Sequence, residues 1–182
     1  LHLILRRQLQ MFIRDIHKPL AKLATDEIDM AIVTEKPVND LFSFVEVYED
    51  EVYLLMHRDN KFSKSDFITP SQFSESHLLI HSFPLETVSV YKLFLQPNTV
   101  TPVKISAVPL TEVALEMVGA NMGIMCMPKW MLKSFIVPDE ILFKKIGENG
   151  LKRTHYLVFR KSDSGQKFIQ EFIANFRESF NN

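Results

Sequence analysis

Apolar residues recur at Leu110, Val113, Ala114, Met117 and Val118, the i, i+3, i+4, i+7, i+8 spacing of one helical face. Asn121 and Gly123 come next, and both residue types admit the positive φ that a tight helix-to-strand turn uses. Ile124 to Met127 then form an apolar run suited to a buried strand, and Pro128 stops it. Helix, turn, buried strand and proline make one α/β unit, and the rest of the chain reads as variations on it.

Before that unit, Leu9 and Met11 alternate with Gln8 and Gln10, the period of a half-buried strand over Gln8 to Phe12. Leu1 to Arg7 fit either a helix end or the same strand. Pro19 suits the first turn of a short helix whose buried face is Leu20, Leu23 and Ala24. Ile28 to Thr34 predict a buried strand with Thr34 at its carboxyl end. A loop through Pro37, Asn39 and Asp40 leads to a strand over Phe42 to Tyr48. Glu49 and Asp50 interrupt it before a second strand, Val52 to His57. Thr69-Pro70 opens a single helical turn through Phe73, and His77 to His81 predict a strand. A helix follows, with Ser82 or Phe83 as N-cap, Pro84 near its first position, and Val90, Tyr91, Phe94 and Leu95 as its apolar face. Pro97 ends it.

Val103, Ile105 and Ala107 alternate as a strand that leads into the helix of Leu110, whose first turn accepts Pro109. Beyond Trp130 the pattern predicts a short helix to Ser134, a strand over Leu142 to Ile146, the turn GENG, and a strand over Thr154 to Phe159. A final helix from about Gly165 to Phe180 puts Phe168, Ile169, Phe172, Ile173 and Phe176 on one face, with Asp163 and Gln166 spaced as a capping box. Strand and helix alternate throughout, which predicts an α/β protein with a parallel-rich sheet.

Composition narrows the function. With 182 residues, 46% hydrophobic and 24% charged, the chain is globular and long enough to bury about 70% of its unfolded surface. A net charge of −1 with both signs interleaved argues against a stand-alone nucleic-acid binder. Cys126 is the single cysteine, so an internal disulfide is excluded and a reducing compartment, the cytoplasm, is expected. No apolar run approaches the roughly 18 residues of a membrane span, and LHLILRRQLQ has no signal-peptide pattern. Without a starting Met, the chain reads as a piece of a longer protein.

Catalytic chemistry finds no support. The six histidines have no zinc-ligand spacing, and no nucleophile elbow, P-loop or dinucleotide fingerprint occurs. Neither a metal, a cofactor nor a catalytic residue is expected. Cys126 lies in an apolar run and reads as an inert small hydrophobe. Met117, Met122, Met125, Met127 and Met131 read as core filler. What remains are polar residues where strands end and helices begin: Thr34, the His81-Ser82 pair and Thr111. Ligands of open α/β sheets bind there, and helix starts after Ser82 and after Val108 could receive a carboxylate. Ser82 and Thr111 could equally do no more than cap their own helices.

Four blocks carry a resemblance: LAKLATDEIDMAIVT (20–34), EDEVYLLMHRDNKF (49–62), DFITPSQFSESHLLIH (66–81) and MVGANMGIMCMPKW (117–130). In order, over about residues 8 to 180, they resemble the effector-binding domain of the LysR-type transcriptional regulators. The last block is similar to that family's V-x-x-G-x-G-I-x-x-x-P segment. VYKLFLQP and GIMCMPKW are most similar to the members that regulate methionine biosynthesis, whose coactivator is homocysteine.

The resemblance implies two Rossmann-like lobes joined by two crossover strands, as in periplasmic binding proteins, with the effector in a cleft between them. Lobe I would be residues 1–50 with 152–182, and lobe II residues 51–151. It implies a homodimer through effector domains and a tetramer of the longer protein, and in such a cleft the strand-end cluster gives Thr34, His81, Ser82, Phe83, Pro109 and Thr111 as the expected effector contacts. DNA would be bound through a helix-turn-helix domain that these residues do not include. The family's linker helix and the first strand and helix of its effector domain are also not among them. A stand-alone two-lobed solute receptor is the alternative function.

Overall fold

The computed structural model describes residues 11–12 and 19–180. The expected strand over Gln8 to Phe12 is represented there by β1, Met11–Phe12, and the readings of Leu1 to Gln10 lie outside the described residues. The chain forms two compact units, Leu1–Glu49 with Thr154–Asn182 and Asp50–Arg153.

In the first unit, α1 (Pro19–Ala24) leads to β2 (Met30–Val33), which runs parallel to β1. β2 also pairs antiparallel with the end of β9 (Leu151–Arg160), Met30 opposite Phe159 and Val33 opposite Tyr156. Strand alternation sorts the side chains onto two faces. Ala31, Tyr156 and Val158 pack with Leu23, Ile28 and Phe42. Met30, Leu157 and Phe159 pack with Ile169 and Ile173 of α4 (Lys167–Phe180).

One arginine closes this unit. Arg160 donates from Nε to Asp163 at 2.6 Å, from Nη1 to the Leu23 and Ile28 carbonyls at 3.0 and 2.7 Å, and from Nη2 to buried Asp29 at 3.1 Å. The carboxylate of Asp163 is thereby engaged by a cation, so the capping box expected with Gln166 is replaced by a backbone bond, Gln166 N to Asp163 O at 2.9 Å. α4 accordingly begins at Lys167 rather than Gly165.

Glu49 and Asp50 do not interrupt a strand, contrary to the pattern. β3 runs unbroken from Phe42 to His57, and the boundary between the two units falls between those two acidic residues. The backbone keeps its extended course because the buried carboxylate of Asp50 is met by Arg153, described below, and does not need a turn to reach water.

The second unit is a mixed sheet in the order β4-β8-β3-β7-β5-β6. Its further strands are β4 (Phe67–Ile68), β5 (His77–Ile80), β6 (Lys104–Ala107), β7 (Ile124–Pro128) and β8 (Ile141–Ile146). β5 is parallel to both β6 and β7, and β4 to β8. β3 is antiparallel to β7 and β8. Leu54, Met56, Leu78, Ile80 and Ile124 face one core with Phe73 of α2 (Pro70–Ser74), Val90 and Leu95. Leu55, Leu79, Met125 and Met127 face the other with Ala114, Leu115 and Val118 of α3 (Thr111–Gly119).

Several local expectations change here. The segment after β5 is not one helix: a 3₁₀ turn at Leu85–Thr87 is capped by Pro84, extended Val88 interrupts, and a π-helical stretch covers Tyr91–Leu95. The β-branched run Thr87, Val88 and Val90 disfavours a continuous helix. α3 starts at Thr111 with Leu110 as extended N-cap, which leaves Pro109 outside the first turn. Its buried face is Ala114, Leu115 and Val118, whereas Leu110 and Val113 are 64% and 46% exposed. Met122 is likewise surface, not core. Asn121 has the expected positive φ of 56°, but Gly123 is needed for space: a Cβ there would lie 2.8 Å from the His77 carbonyl oxygen.

Candidate functional site at the carboxyl ends of the parallel strands

β5 and β6 are adjacent and parallel, and their last residues, Ile80 and Ala107, are paired. Val108 N then donates to Ile80 O at 2.8 Å, so the two strands leave the sheet side by side. His81, Ser82 and Phe83 follow directly from one, and Pro109, Leu110 and Thr111 from the other. Five of the six residues expected to hold an effector are therefore gathered at one end of one sheet. The sixth, Thr34, follows β2 in the first unit, where it is exposed.

Ser82 and Thr111 are half-buried, and His81, Phe83 and Pro109 are exposed. Ser82 is not at a helix start, and Thr111 is the first residue of α3, behind an N-cap that makes no side-chain bond. Among the described residues the side chains of Thr34, His81, Ser82 and Thr111 make no hydrogen bond. The plain capping role considered for Ser82 and Thr111 is thus not the one they have. α3 adds backbone donors: its ladder opens with Ala114 N bonded to Leu110 O, which leaves the amides of Thr111, Glu112 and Val113 without an intrahelical acceptor. Such amides favour negative charge, whereas Glu112 puts a carboxylate into the same first turn.

The opposite, amino ends of the same strands are closed. His77 opens β5, and its ring bonds the Met122 carbonyl through Nδ1 at 2.8 Å and Ser106 Oγ through Nε2 at 2.9 Å. Gly123 sits against the His77 backbone. A shallow recess of about 140 Å³ remains, lined by Asn60, Lys61, Glu75, His77, Asn121 and Met122 among others. Its Lys61 and Glu75 neutralise each other at 2.5 Å.

Sequence reasoning missed a third group of residues. Asp50 accepts a forked pair of bonds from Arg153, Nε to Oδ1 at 2.8 Å and Nη2 to Oδ2. Trp130 Nε1 donates to the same Oδ2 at 3.0 Å, and Arg153 Nη1 donates to Ser89 Oγ at 2.9 Å. The side chains of Asp50 and Arg153 are 5% and 13% exposed. The available signal was the acidic residue amid the apolar positions of Phe42 to His57, read as a break because a charge inside a strand is rare without a partner.

The single cysteine adds no reactive group to the site. Burial pushes the Cys126 thiol up from its ordinary range, so it is no nucleophile at neutral pH. Among the described residues no cluster of three His, Cys, Asp or Glu could hold a metal ion, and no helix is long and apolar enough to cross a membrane.

An α/β architecture with helices on both faces of its sheets and polar groups at the carboxyl strand ends is that of a periplasmic-binding-protein-like domain. The chain belongs to the LysR substrate binding domain family, whose pattern matches residues 7–181. Among curated proteins it is 28% identical to the HTH-type transcriptional regulator MetR of Escherichia coli K12 over 159 residues, 87% of this chain and 50% of that protein. To MetR of Buchnera aphidicola subsp. Schizaphis graminum it is 28% identical over 164 residues, 89% of this chain and 52% of that protein. The chain spans about half the length of these relatives. Among solved structures, the regulatory domain of MetR, a LysR family regulator from N. meningitidis, superposes with a TM-score of 0.83 at 22% identity, covering 91% of this chain and 76% of that one. The BenM effector binding domain with its effector benzoate gives 0.72 at 16%, covering 89% and 73%.

Proposed function

We propose that this chain is the effector-sensing domain of a transcriptional regulator of sulfur amino-acid genes, and that it binds a small amino-acid-like molecule, homocysteine first among the candidates. The observation that carries the reading is the pair of half-buried hydroxyls, Ser82 and Thr111, which have no hydrogen-bond partner among the described residues where two adjacent parallel strands end. An unbonded, partly desolvated hydroxyl is costly unless a ligand or water completes it. The free amides of α3 would take a carboxylate, and Glu112 beside them favours a ligand that also brings an ammonium. Exposed Phe83 and Pro109 offer apolar contact for a short thiol side chain. The MetR relatives support the regulatory role, since their names describe HTH-type transcriptional regulators.

In this reading residues 1–50 with 152–182 and residues 51–151 are regulatory subdomains I and II, and Thr34, on subdomain I, is a further candidate for effector contact. The chain pairs with itself, assembles as a tetramer within the longer protein, and meets DNA in the cytoplasm through a helix-turn-helix segment outside these residues. Control requires that the effector bind two conformations unequally, with a coupling of about 1–3 kcal/mol. Calorimetric titration with L-homocysteine, L-methionine and L-cysteine tests it. Saturable binding of homocysteine, weakened by Ser82→Ala and Thr111→Ala, is the expected result; no binding of any of the three would sink the ligand assignment.

A further inference from the structure

The Asp50–Arg153 pair lies at a singular place in the chain. Asp50 is the first and Arg153 the last residue of the second unit, so the pair ties the strand by which the chain enters that unit to the strand by which it leaves. Arg153 does not stop there. Its remaining terminal nitrogen reaches Ser89, the first helical residue of the segment that ends in the π-helical stretch, seven residues beyond Ser82. Asp50 in turn holds the indole of Trp130, just past the end of β7. Four separate chain segments thus meet on one buried fork.

A bare ion pair would need only Asp50 and Arg153. The reach to Ser89 uses the geometry of a guanidinium, which can hold a carboxylate along one edge and a further acceptor from its other terminal nitrogen. Lysine has one nitrogen and no such fork. The segment it secures follows the turn of His81, Ser82 and Phe83, where the backbone is held by short pieces, a 3₁₀ turn and then a π-helical stretch. It has no single long helix to fix it from within.

We propose that Arg153 is a positioning residue for the Ser82–Ser89 turn: through Ser89 it sets where that turn ends, and through Asp50 it couples the turn to the two strands at which the chain crosses between units. Its role as a relay for effector binding rests on the function proposed above. The coupling itself does not, and the two are tested separately.

The first measurement uses hydrogen exchange on the whole 182-residue chain without ligand. Ser89→Ala removes one contact of the fork and should speed exchange at Glu49 to Glu51 and at Lys152 and Arg153 by about fivefold or more, and Asp50→Asn should do the same at Ser82 to Ser89. Arg153→Lys, which keeps the charge opposite Asp50, should reproduce both effects with the unfolding temperature close to that of the parent chain. Ser89→Thr, which keeps the hydroxyl, should restore the parent pattern. If each substitution changes exchange only in its own segment, or if Arg153→Lys leaves both segments protected, the proposal is overturned. The second measurement adds L-homocysteine. Binding should alter exchange at Glu49 to Glu51 in the parent chain and should persist in Ser89→Ala without that alteration. A parent chain that ignores homocysteine would defeat the ligand assignment, while the ligand-free arm would still decide the role of Arg153.

Discussion

The two ends of the parallel strands in the second unit differ in how their polar groups are used. At the amino ends, His77 satisfies both ring nitrogens, one on the Met122 carbonyl and one on Ser106, and Gly123 lets β7 press against the β5 backbone. At the carboxyl ends, His81, Ser82 and Thr111 also have polar side chains, and these make no hydrogen bond among the described residues. The same sheet therefore has one end whose polar groups are consumed by the fold and one whose polar groups are left over. Stability should reside in the first and ligand response in the second, and substitutions at the two ends can separate those quantities.

The largest effect is expected at Gly123. A side chain there meets the His77 carbonyl oxygen at 2.8 Å and the Leu79 side chain at 3.1 Å, a clash with backbone that rotamer change cannot relieve. Gly123→Val should cost about 2–3 kcal/mol, read as a lower urea midpoint. A neutral result would mean that the amino end yields easily, and the contrast between the ends would collapse.

His77→Ala comes next. It strands the Ser106 hydroxyl and the Met122 carbonyl, for which about 1–2 kcal/mol is the expected loss. His77→Asn, which can replace one of the two bonds, should fall between. Chemical denaturation of the pair measures both.

Cys126 reports on the same region from the middle of β7. Its thiol is held protonated by burial, whereas in the unfolded chain it ionises near pH 8.5. A folded pKa raised above the unfolded one gives stability that is complete below about pH 8.5 and declines as pH rises further. A disulfide reagent at pH 8 should accordingly react slowly with the native chain and at once in denaturant. Gly123→Val, three residues away, should raise the native rate in proportion to the stability it removes, and an equally slow rate in the variant would separate thiol access from opening of the amino end.

Much of this architecture was legible in the sequence, because burial on both faces writes continuous apolar runs such as Ile124 to Met127, and caps announce themselves at Thr69-Pro70, where Gln72 Oε1 accepts from Thr69 N at 2.8 Å. Side-chain destinations were less legible. Asp50 looked like a break because its partner lies 103 residues away, and Asp163 looked like a capping residue although Arg160, which takes its carboxylate, stands only three residues before it. The helix read after Ser82 failed for a related reason: apolar spacing at Val90, Tyr91, Phe94 and Leu95 reports which face is buried, and a π-helical turn buries nearly the same face. The polar residues of the carboxyl ends were found from the strand-end rule alone, but whether their hydroxyls would be spent on caps depended on where the helices start, the least predictable feature of an element.

The smallest change in stability is expected at Thr111, and it is the sharpest test of the contrast. Its hydroxyl supports neither the N-cap, which is Leu110, nor any other described group, so Thr111→Ala should shift stability by no more than about 0.5 kcal/mol. Alanine's better helix propensity could even offset part of that. If the hydroxyl meets the effector, the same substitution should weaken homocysteine binding by roughly tenfold, the equivalent of about 1.4 kcal/mol lost from one hydrogen bond in a partly desolvated site. The ratio of the two effects is what matters: a variant that loses binding while keeping its urea midpoint assigns Thr111 to the ligand, and one that loses both in parallel returns it to the scaffold and makes the carboxyl end no different from the amino end.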